Sequence, residues 1–230
     1  MAVKIGQKRA PGASLNKTIA ITRFSLKRGL GYLFSPIYKP ALSIEMFLCD
    51  PRRVTYAVLG LLLLGVLYTI TVAVGFQRGF GAVVPPLLTI PAADYYFWQT
   101  FFCLPLLFTV AILFAGSARL LASLFRGRGH FEDTFAIVGV ALVFPIFLTM
   151  WLPESALIIA LPSARAEPLG GFAFLPSWAD ALRQIVGIAW PLGFVALGLK
   201  RTEDLGLGQA LAVSLLAFLP AAALIAVFIR

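Results

Sequence analysis

Very few side chains in this chain have the types and spacing that catalysis or metal binding requires. His130 is the single histidine in 230 residues, so the usual metal sites with several histidines cannot form within one chain. Ser117 lacks both glycines of a nucleophile elbow and has no histidine partner. Gly127-x-Gly129 has no third glycine and no Lys-Ser/Thr pair after it, so it does not match a phosphate-binding loop. We therefore expect no enzymatic activity, no cofactor and no metal ion.

The polar residues closest to the inside of an apolar stretch are Arg183 and Gln184. Asp180 lies three residues before Arg183, so the two side chains can pair on one face of a helix. Ionisable residues are costly inside a membrane and often mark a functional site there. Two interpretations stay open: an ion pair at the membrane interface that reaches outward, which we favour, or part of a substrate site.

The elements that position these residues are expected to be membrane helices. The chain is 60% hydrophobic and 13% charged, whereas soluble domains are roughly 25% charged. Four of its five long apolar stretches carry a central proline. A proline there breaks a helix in water. In a bilayer the helix persists, because backbone groups have no water to bond to and must stay hydrogen-bonded within the protein. The sequence therefore predicts an all-α polytopic membrane protein, a bundle of five transmembrane helices with several proline kinks. The four prolines are Pro105, Pro145, Pro191 and Pro220.

The predicted membrane domain covers residues 54–230 and follows a basic tail at residues 1–53. The five spans are predicted at about 54–75, 97–118, 134–152, 181–199 and 207–229. The apolar run Ala156–Leu161 is too short to cross a bilayer, so we expect an interfacial or re-entrant piece. Within the tail, about 14–33 and 38–48 are candidate amphipathic helices that could lie on an anionic lipid surface.

The charge distribution predicts the orientation of the chain. The net charge is +9, and ten of the nineteen Lys and Arg residues precede Val54. With five spans, fifteen of the nineteen lie on the side of the N-terminus, and Lys and Arg concentrate on the cytoplasmic side of membrane proteins. We expect a cytoplasmic N-terminus and an extracytoplasmic C-terminus, in a bacterial inner membrane or, in a eukaryote, the endoplasmic reticulum and Golgi. Nucleic acid is not expected as a partner, since no nucleic-acid fold or stacking motif accompanies these charges.

Small residues and prolines in the spans are candidates for helix packing and kinks. Gly187, Gly193 and Gly198 in the fourth span permit close approach of a second helix, either within the bundle or between subunits. The four central prolines could open a cavity, although proline is simply frequent in such helices.

Residues 126–145 carry a Gly-x-Gly turn, an aromatic residue, a Thr at a helix start, a Gly–small–Ala stretch and a proline. The matching positions are Gly127, Gly129, Phe131, Thr134, Gly139, Ala141 and Pro145. Trp190–Ala210 adds a tryptophan-bearing helix, a short polar turn and a small-residue helix. This pattern resembles the Yip family, named for Ypt/Rab GTPase-interacting proteins, over about residues 35–230. The resemblance implies five spans and a non-enzymatic adaptor that shapes or marks membranes, often as a multimer, and binds small GTPases. The short basic tail departs from the longer cytoplasmic domains of many eukaryotic members; compact relatives also occur in bacteria and archaea.

The turn after the second span is the candidate docking site for a protein partner. Its glycines permit tight backbone geometry, its two acidic residues favour the positive N-terminus of the third span, and its arginines are expected to face lipid headgroups. The candidate residues are Arg126, Gly127, Arg128, Gly129, His130, Phe131, Glu132 and Asp133.

Two functions are therefore expected from the sequence. The first is membrane organisation or partner recruitment through the cytoplasmic face, with anionic lipid at the basic tail and a protein partner or further copies of the chain. The alternative is a small transporter or channel subunit, although no obvious internal repeat or charged half-helix pair supports it.

Overall fold

The computed structural model describes residues 26–34, 39–80, 82, 87–160 and 176–229. Within these residues the chain is all-helical and contains no strand, which confirms the predicted fold class. Positions 14–25 of the helix predicted at 14–33 lie outside the described residues. The helices are α1 (Leu26–Phe34), α2 (Pro40–Leu48), α3 (Arg53–Gln77), α4 (Tyr95–Leu124), α5 (Phe131–Ile146), α6 (Leu152–Ala160), α7 (Ser177–Thr202) and α8 (Leu207–Phe228).

Five helical segments in this part of the chain are long and apolar enough to cross a membrane. They comprise 22 to 33 residues, which corresponds to roughly 33 to 50 Å at 1.5 Å per residue. A hydrocarbon core is about 30 Å thick, so each segment can span it. The spans are Arg53–Gln77, Ala92–Leu124, Phe131–Ile159, Ser177–Thr202 and Leu207–Phe228.

The third span lies at the centre of the bundle. All twelve residues of α5 from Thr134 to Pro145 are buried, as expected for a helix that is apolar on every side. Gly139 faces α3, where a Cβ atom would lie 2.8 Å from the Cβ of Ala57. The two backbones can approach closely because neither residue has a side chain larger than a methyl group.

The third span is longer than the sequence analysis predicted. After α5, the π-helical turn Phe147–Trp151 leads directly into α6. The run Ala156–Leu161 is therefore not a separate interfacial or re-entrant piece, because its residues up to Ala160 belong to α6, which continues this span. Leu161 lies outside the described residues. Pro153 does not end the helix, because the π-helical turn ahead of it shifts the hydrogen-bond register and leads into α6.

The bundle has two ends that differ in charge. The basic end holds α1, α2, the starts of α3, α5 and α8, and the last residues of α4 and α7. Among the described residues it carries ten Lys or Arg and six Asp or Glu, whereas the opposite end carries two and three. The predicted docking turn therefore lies at the more strongly charged end.

Candidate functional site: the turn at the basic end

The turn between α4 and α5 is fastened to the loop after α7 by one carboxylate. Glu203 is only 1% exposed, and its Oε2 accepts a hydrogen bond from the backbone N–H of Gly129 at 2.8 Å. Its Oε1 accepts one from the Thr134 hydroxyl at 3.3 Å, and Arg119 Nη1 lies 3.4 Å from Oε2. A buried carboxylate needs this number of donors to offset its lost hydration.

The two glycines of the turn make room for that carboxylate. A Cβ atom on Gly127 would lie 2.6 Å from Glu203 Oε2 and 3.0 Å from the carbonyl oxygen of Ala122. On Gly129 it would lie 2.7 Å from Glu203 Cδ and 2.8 Å from the carbonyl oxygen of Thr202. The Gly-x-Gly spacing is therefore required by packing against Glu203.

The other side chains of the turn point away from this contact. Arg126, Arg128 and His130 are exposed, and Arg126 adopts the left-handed region with φ of 63°. Phe131, the first residue of α5, is 44% exposed. The result is a fixed backbone that presents two guanidinium groups, an imidazole and an aromatic ring to the surroundings.

The acidic residues of the turn belong to the first turn of α5. Glu132 and Asp133 lie there, where the partial positive charge of a helix N-terminus favours carboxylates. Glu132 is exposed. Asp133 Oδ1 accepts a hydrogen bond from Arg53 Nε at 2.5 Å, so it also joins the start of α3 to the start of α5.

The two short N-terminal helices pack beside this site. The hydroxyl of Tyr32 in α1 donates to Asp50 Oδ2 at 3.0 Å, and Arg28 Nη1 lies 3.6 Å from the same oxygen. Burial of the Tyr32 ring is the main cause that raises the pKa of Tyr32 to about 12, and the hydrogen bond to Asp50 is the second cause. On α2, Glu45 pairs with Arg201 at the end of α7 at 2.6 Å. These contacts anchor α1 and α2 on the basic end.

The predicted kink and packing residues lie apart from the turn. Pro105, Pro145, Pro191 and Pro220 each lie inside a helix that continues past them. A Cβ atom on Gly198 would lie 2.4 Å from Ile137 Cγ2, and one on Gly187 would lie 2.6 Å from Thr149 Oγ1. A Cβ atom on Gly193 would have no described atom within 4 Å. Gly187 and Gly198 therefore bring α7 against the third span, and Gly193 does not take part in that contact.

Two arginines take positions that the sequence analysis did not foresee. Arg119 pairs with the buried carboxylate of Glu203 at the basic end. Arg183 pairs with Asp180 as predicted, at 2.7 Å, but its side chain is only 13% exposed and donates to the carbonyl oxygen of Thr149. The expectation of an outward-reaching pair is therefore wrong, because the unusual helix geometry after Pro145 offers the guanidinium an acceptor inside the bundle.

Two important acidic residues were missed in the sequence. Glu203 was not among the candidate site residues, and nothing in its neighbours predicts that it would fold inward. Glu154 was expected beyond the third span, whose predicted end was at about 152, but it lies within the span Phe131–Ile159.

No family model, curated protein or solved structure matches this chain. Among the residues that the structure describes, no three His, Cys, Asp or Glu side chains come together as a metal site. Function is therefore inferred from the site and from the charge of the two ends.

Proposed function

We propose that this chain is a non-enzymatic Yip-type membrane protein that organises membrane or recruits a protein partner through its basic end. The observation that carries this proposal is the turn Arg126–Phe131, whose backbone is fixed by Glu203 while its cationic and aromatic side chains are exposed. A fixed loop loses little conformational entropy when a partner binds. Arginine and aromatic residues are also enriched at protein interfaces.

In this proposal the basic end faces the cytoplasm, the N-terminus lies there and the C-terminus lies outside. The excess of Lys and Arg at that end supports this orientation. Anionic lipid headgroups attract juxtamembrane cations by about 1 kcal/mol each. Lys27 in α1 and Lys39 just before α2 are exposed, so they are positioned to hold such lipids near the turn.

Site-specific photo-crosslinking in intact membranes tests the recruitment proposal. A photoreactive residue in place of Arg128 is expected to give discrete protein adducts. The matched control replaces Trp178, which is 70% exposed at the start of α7, at the opposite end of the bundle. The Arg126→Ala substitution is expected to reduce the adducts at position 128, because it removes a cation without touching Glu203. Equal adduct patterns at both positions, or none at position 128, would contradict the proposal.

A small transporter or channel subunit is the second candidate, and one observation favours it. Arg183, Asp180 and Gln184 form a bonded polar group inside the fourth span, where charged residues often belong to a substrate or ion pathway. Flux across vesicles that contain the purified protein, and its loss in Arg183→Met, would select this function over recruitment.

A further inference from the structure

The second short helix at the basic end, α2, has one buried face and one exposed face. The residues of its inner face, which are buried, are Ser43, Ile44 and Phe47. Leu42, Met46 and Cys49 follow one another at spacings of four and three residues, so they share the opposite side of the helix. Leu42 is 49% exposed and Met46 is 57% exposed, and Cys49 is exposed as well. These three residues are called the outer face of α2 below.

The outer face of α2 is as apolar as its inner face. Only two of the nine residues of this helix are polar. Ser43 is buried on the inner face, and Glu45 pairs with Arg201. A helix on the surface of a soluble domain carries charged and polar residues on its outer side, whereas a helix that is apolar on every side is enclosed by apolar neighbours. The bundle encloses only one side of α2, so Leu42 and Met46 need a further apolar neighbour.

The inner face fixes the direction in which the outer face points. Ile44 is fully buried and Phe47 is 1% exposed, and both belong to the same buried cluster as Leu199 near the end of α7. The ring of Phe47 also packs edge-on against Tyr32 of α1, with ring centroids 5.1 Å apart. Turning Leu42 inward would expose these side chains to water, so the outer face must look away from the bundle.

An ion pair and a short link place α2 at the level where the membrane spans end and begin. Glu45 Oε1 lies 2.6 Å from Arg201 Nη2, and Arg201 is the last residue but one of the span Ser177–Thr202. The first span starts at Arg53, five residues after the last residue of α2. Backbone N–H groups in this link donate to carbonyl oxygens three residues earlier at 3.0 and 3.1 Å, so the link is compact. α2 therefore lies beside the ends of two spans, where the hydrocarbon core of a bilayer gives way to headgroups.

Two lysines beside α2 carry charges that no carboxylate of the described residues balances. Lys39 directly precedes α2, and Lys200 directly precedes Arg201; both are exposed. None of the ion pairs formed within the described ranges includes either lysine. Exposed cations at this level are attracted to anionic lipid headgroups. Apolar side chains next to such cations match the boundary between acyl chains and headgroups.

We propose that the outer face of α2 is immersed in the interfacial layer of the bilayer at the basic end. Leu42 and Met46 lie against acyl chains, and Lys39 and Lys200 lie among anionic headgroups. The inference deepens the proposed function, because it names the lipid layer that the basic end contacts, and it rests on that function only in placing this end at a membrane surface. It depends neither on a protein partner nor on which end faces the cytoplasm.

Spin-label accessibility of the full-length protein in lipid nanodiscs tests this proposal. The discs contain phosphatidylcholine and phosphatidylglycerol. One nitroxide label is attached to the native Cys49, and others to Leu42→Cys and Met46→Cys in a Cys49→Ser background, while the native Cys103 is buried. Collisions with oxygen, which concentrates among acyl chains, are compared with collisions with a water-soluble nickel chelate.

Two further labelled positions provide the matched references. Arg128→Cys in the same background is the aqueous reference, since this residue is exposed in the turn at the same end. Leu63→Cys is the hydrocarbon reference, because this residue is 52% exposed near the middle of the first span. We expect the oxygen-to-nickel ratio on the outer face of α2 to be several-fold higher than at Arg128→Cys and to approach the ratio at Leu63→Cys.

The label on Cys49 needs no substitution, so the test stands even if Leu42→Cys or Met46→Cys does not fold. A ratio on the outer face equal to that at Arg128→Cys would place this face in water and overturn the proposal. Spin–spin broadening that disappears on dilution with unlabelled protein would show that a second copy covers the face, and the lipid assignment would be wrong. The discs contain no partner protein and leave both ends open to water, so neither result bears on recruitment at the turn or on the orientation of the chain.

Discussion

At the scale of single residues, Glu203 determines the shape of the candidate docking site. Its carboxylate accepts hydrogen bonds from a backbone N–H and a hydroxyl and pairs with Arg119. Gly127 and Gly129 are needed because any side chain would collide with it. The exposed arginines of the turn can be replaced without disturbing that arrangement, which separates the fold of the turn from its binding.

Gly129→Ala is expected to destabilise the protein by about 1 to 3 kcal/mol, the usual cost of overpacking. The added Cβ would meet Glu203 and the backbone of Thr202 at less than 3.0 Å, and backbone cannot move aside cheaply. Gly116→Ala is the control, because no described atom lies within 4 Å of its Cβ position. Unfolding in mixed micelles measures both; equal stability of the two variants would contradict this packing.

Glu203→Gln is expected to cost about 1 to 3 kcal/mol, because an amide nitrogen cannot accept the hydrogen bonds that one of the carboxylate oxygens now accepts. Its neighbour supplies the control: Asp204 is exposed and has φ of 56°, a conformation that asparagine tolerates. Asp204→Asn should therefore change stability by less than about 0.5 kcal/mol. The same unfolding assay applies, and a neutral Glu203→Gln would show that the buried carboxylate does not hold the turn.

At the scale of elements, α1 is attached to the bundle by a titratable contact. Tyr32 packs edge-on against Phe47 and Tyr56, with ring centroids 5.1 and 5.6 Å apart, and its hydroxyl donates to Asp50. The docked position of α1 therefore favours the neutral form of this tyrosine.

Docking of α1 is expected to weaken between about pH 10 and pH 12. The pKa of Tyr32 is raised from 10.0 to about 12 in the docked state. The stabilisation of the docked state by the neutral Tyr32 is therefore complete below pH 10 and is lost as the pH rises through 12. A spin label at Gly31, where no described atom lies within 4 Å of a Cβ position, reports the motion of α1 in a Cys49→Ser background. Label mobility should rise over this range in the parent and should lack that step in Tyr32→Phe. The same step in both proteins would refute the assignment.

The third span illustrates how far the sequence could predict the elements. Apolar length correctly predicted five helices of sufficient length. The predicted end of the third span at about 152 was too early, since the π-helical turn that carries the helix on to Pro153 is not visible in composition or periodicity. The pairing of Asp180 with Arg183 followed from their spacing of three residues, whereas the inward direction of Arg183 depends on the carbonyl oxygen of Thr149, which is a tertiary contact.

The candidate turn was recognised from its glycines and charges, but Glu203, which holds its backbone, was not. Gly127 and Gly129 predicted a tight turn, and Glu132 and Asp133 correctly indicated a helix start. The contact of Glu203 with the turn joins residues 74 positions apart. No local pattern encodes such a contact, so the sequence alone could not identify what fixes the site.

At the scale of the whole molecule, five helices separate two chemically different ends. The basic end carries the turn, α1 and α2. The opposite end carries Trp178 at the start of α7, and the Asp180–Arg183 pair lies within the nearby helices. This asymmetry gives the bundle a direction in the membrane, and the proposed recruitment requires that the turn face the cytoplasm.

Paired cysteine labelling in intact cells tests this orientation most directly. In a Cys49→Ser background, Arg128→Cys and Trp178→Cys each place one reactive thiol at an exposed position, while the native Cys103 is buried. A membrane-impermeant reagent is expected to label Trp178→Cys in intact cells and Arg128→Cys only after the membrane is opened. The reverse pattern would place the turn outside, and equal labelling of both in intact cells would mean that the third span does not cross; either result contradicts the proposed function.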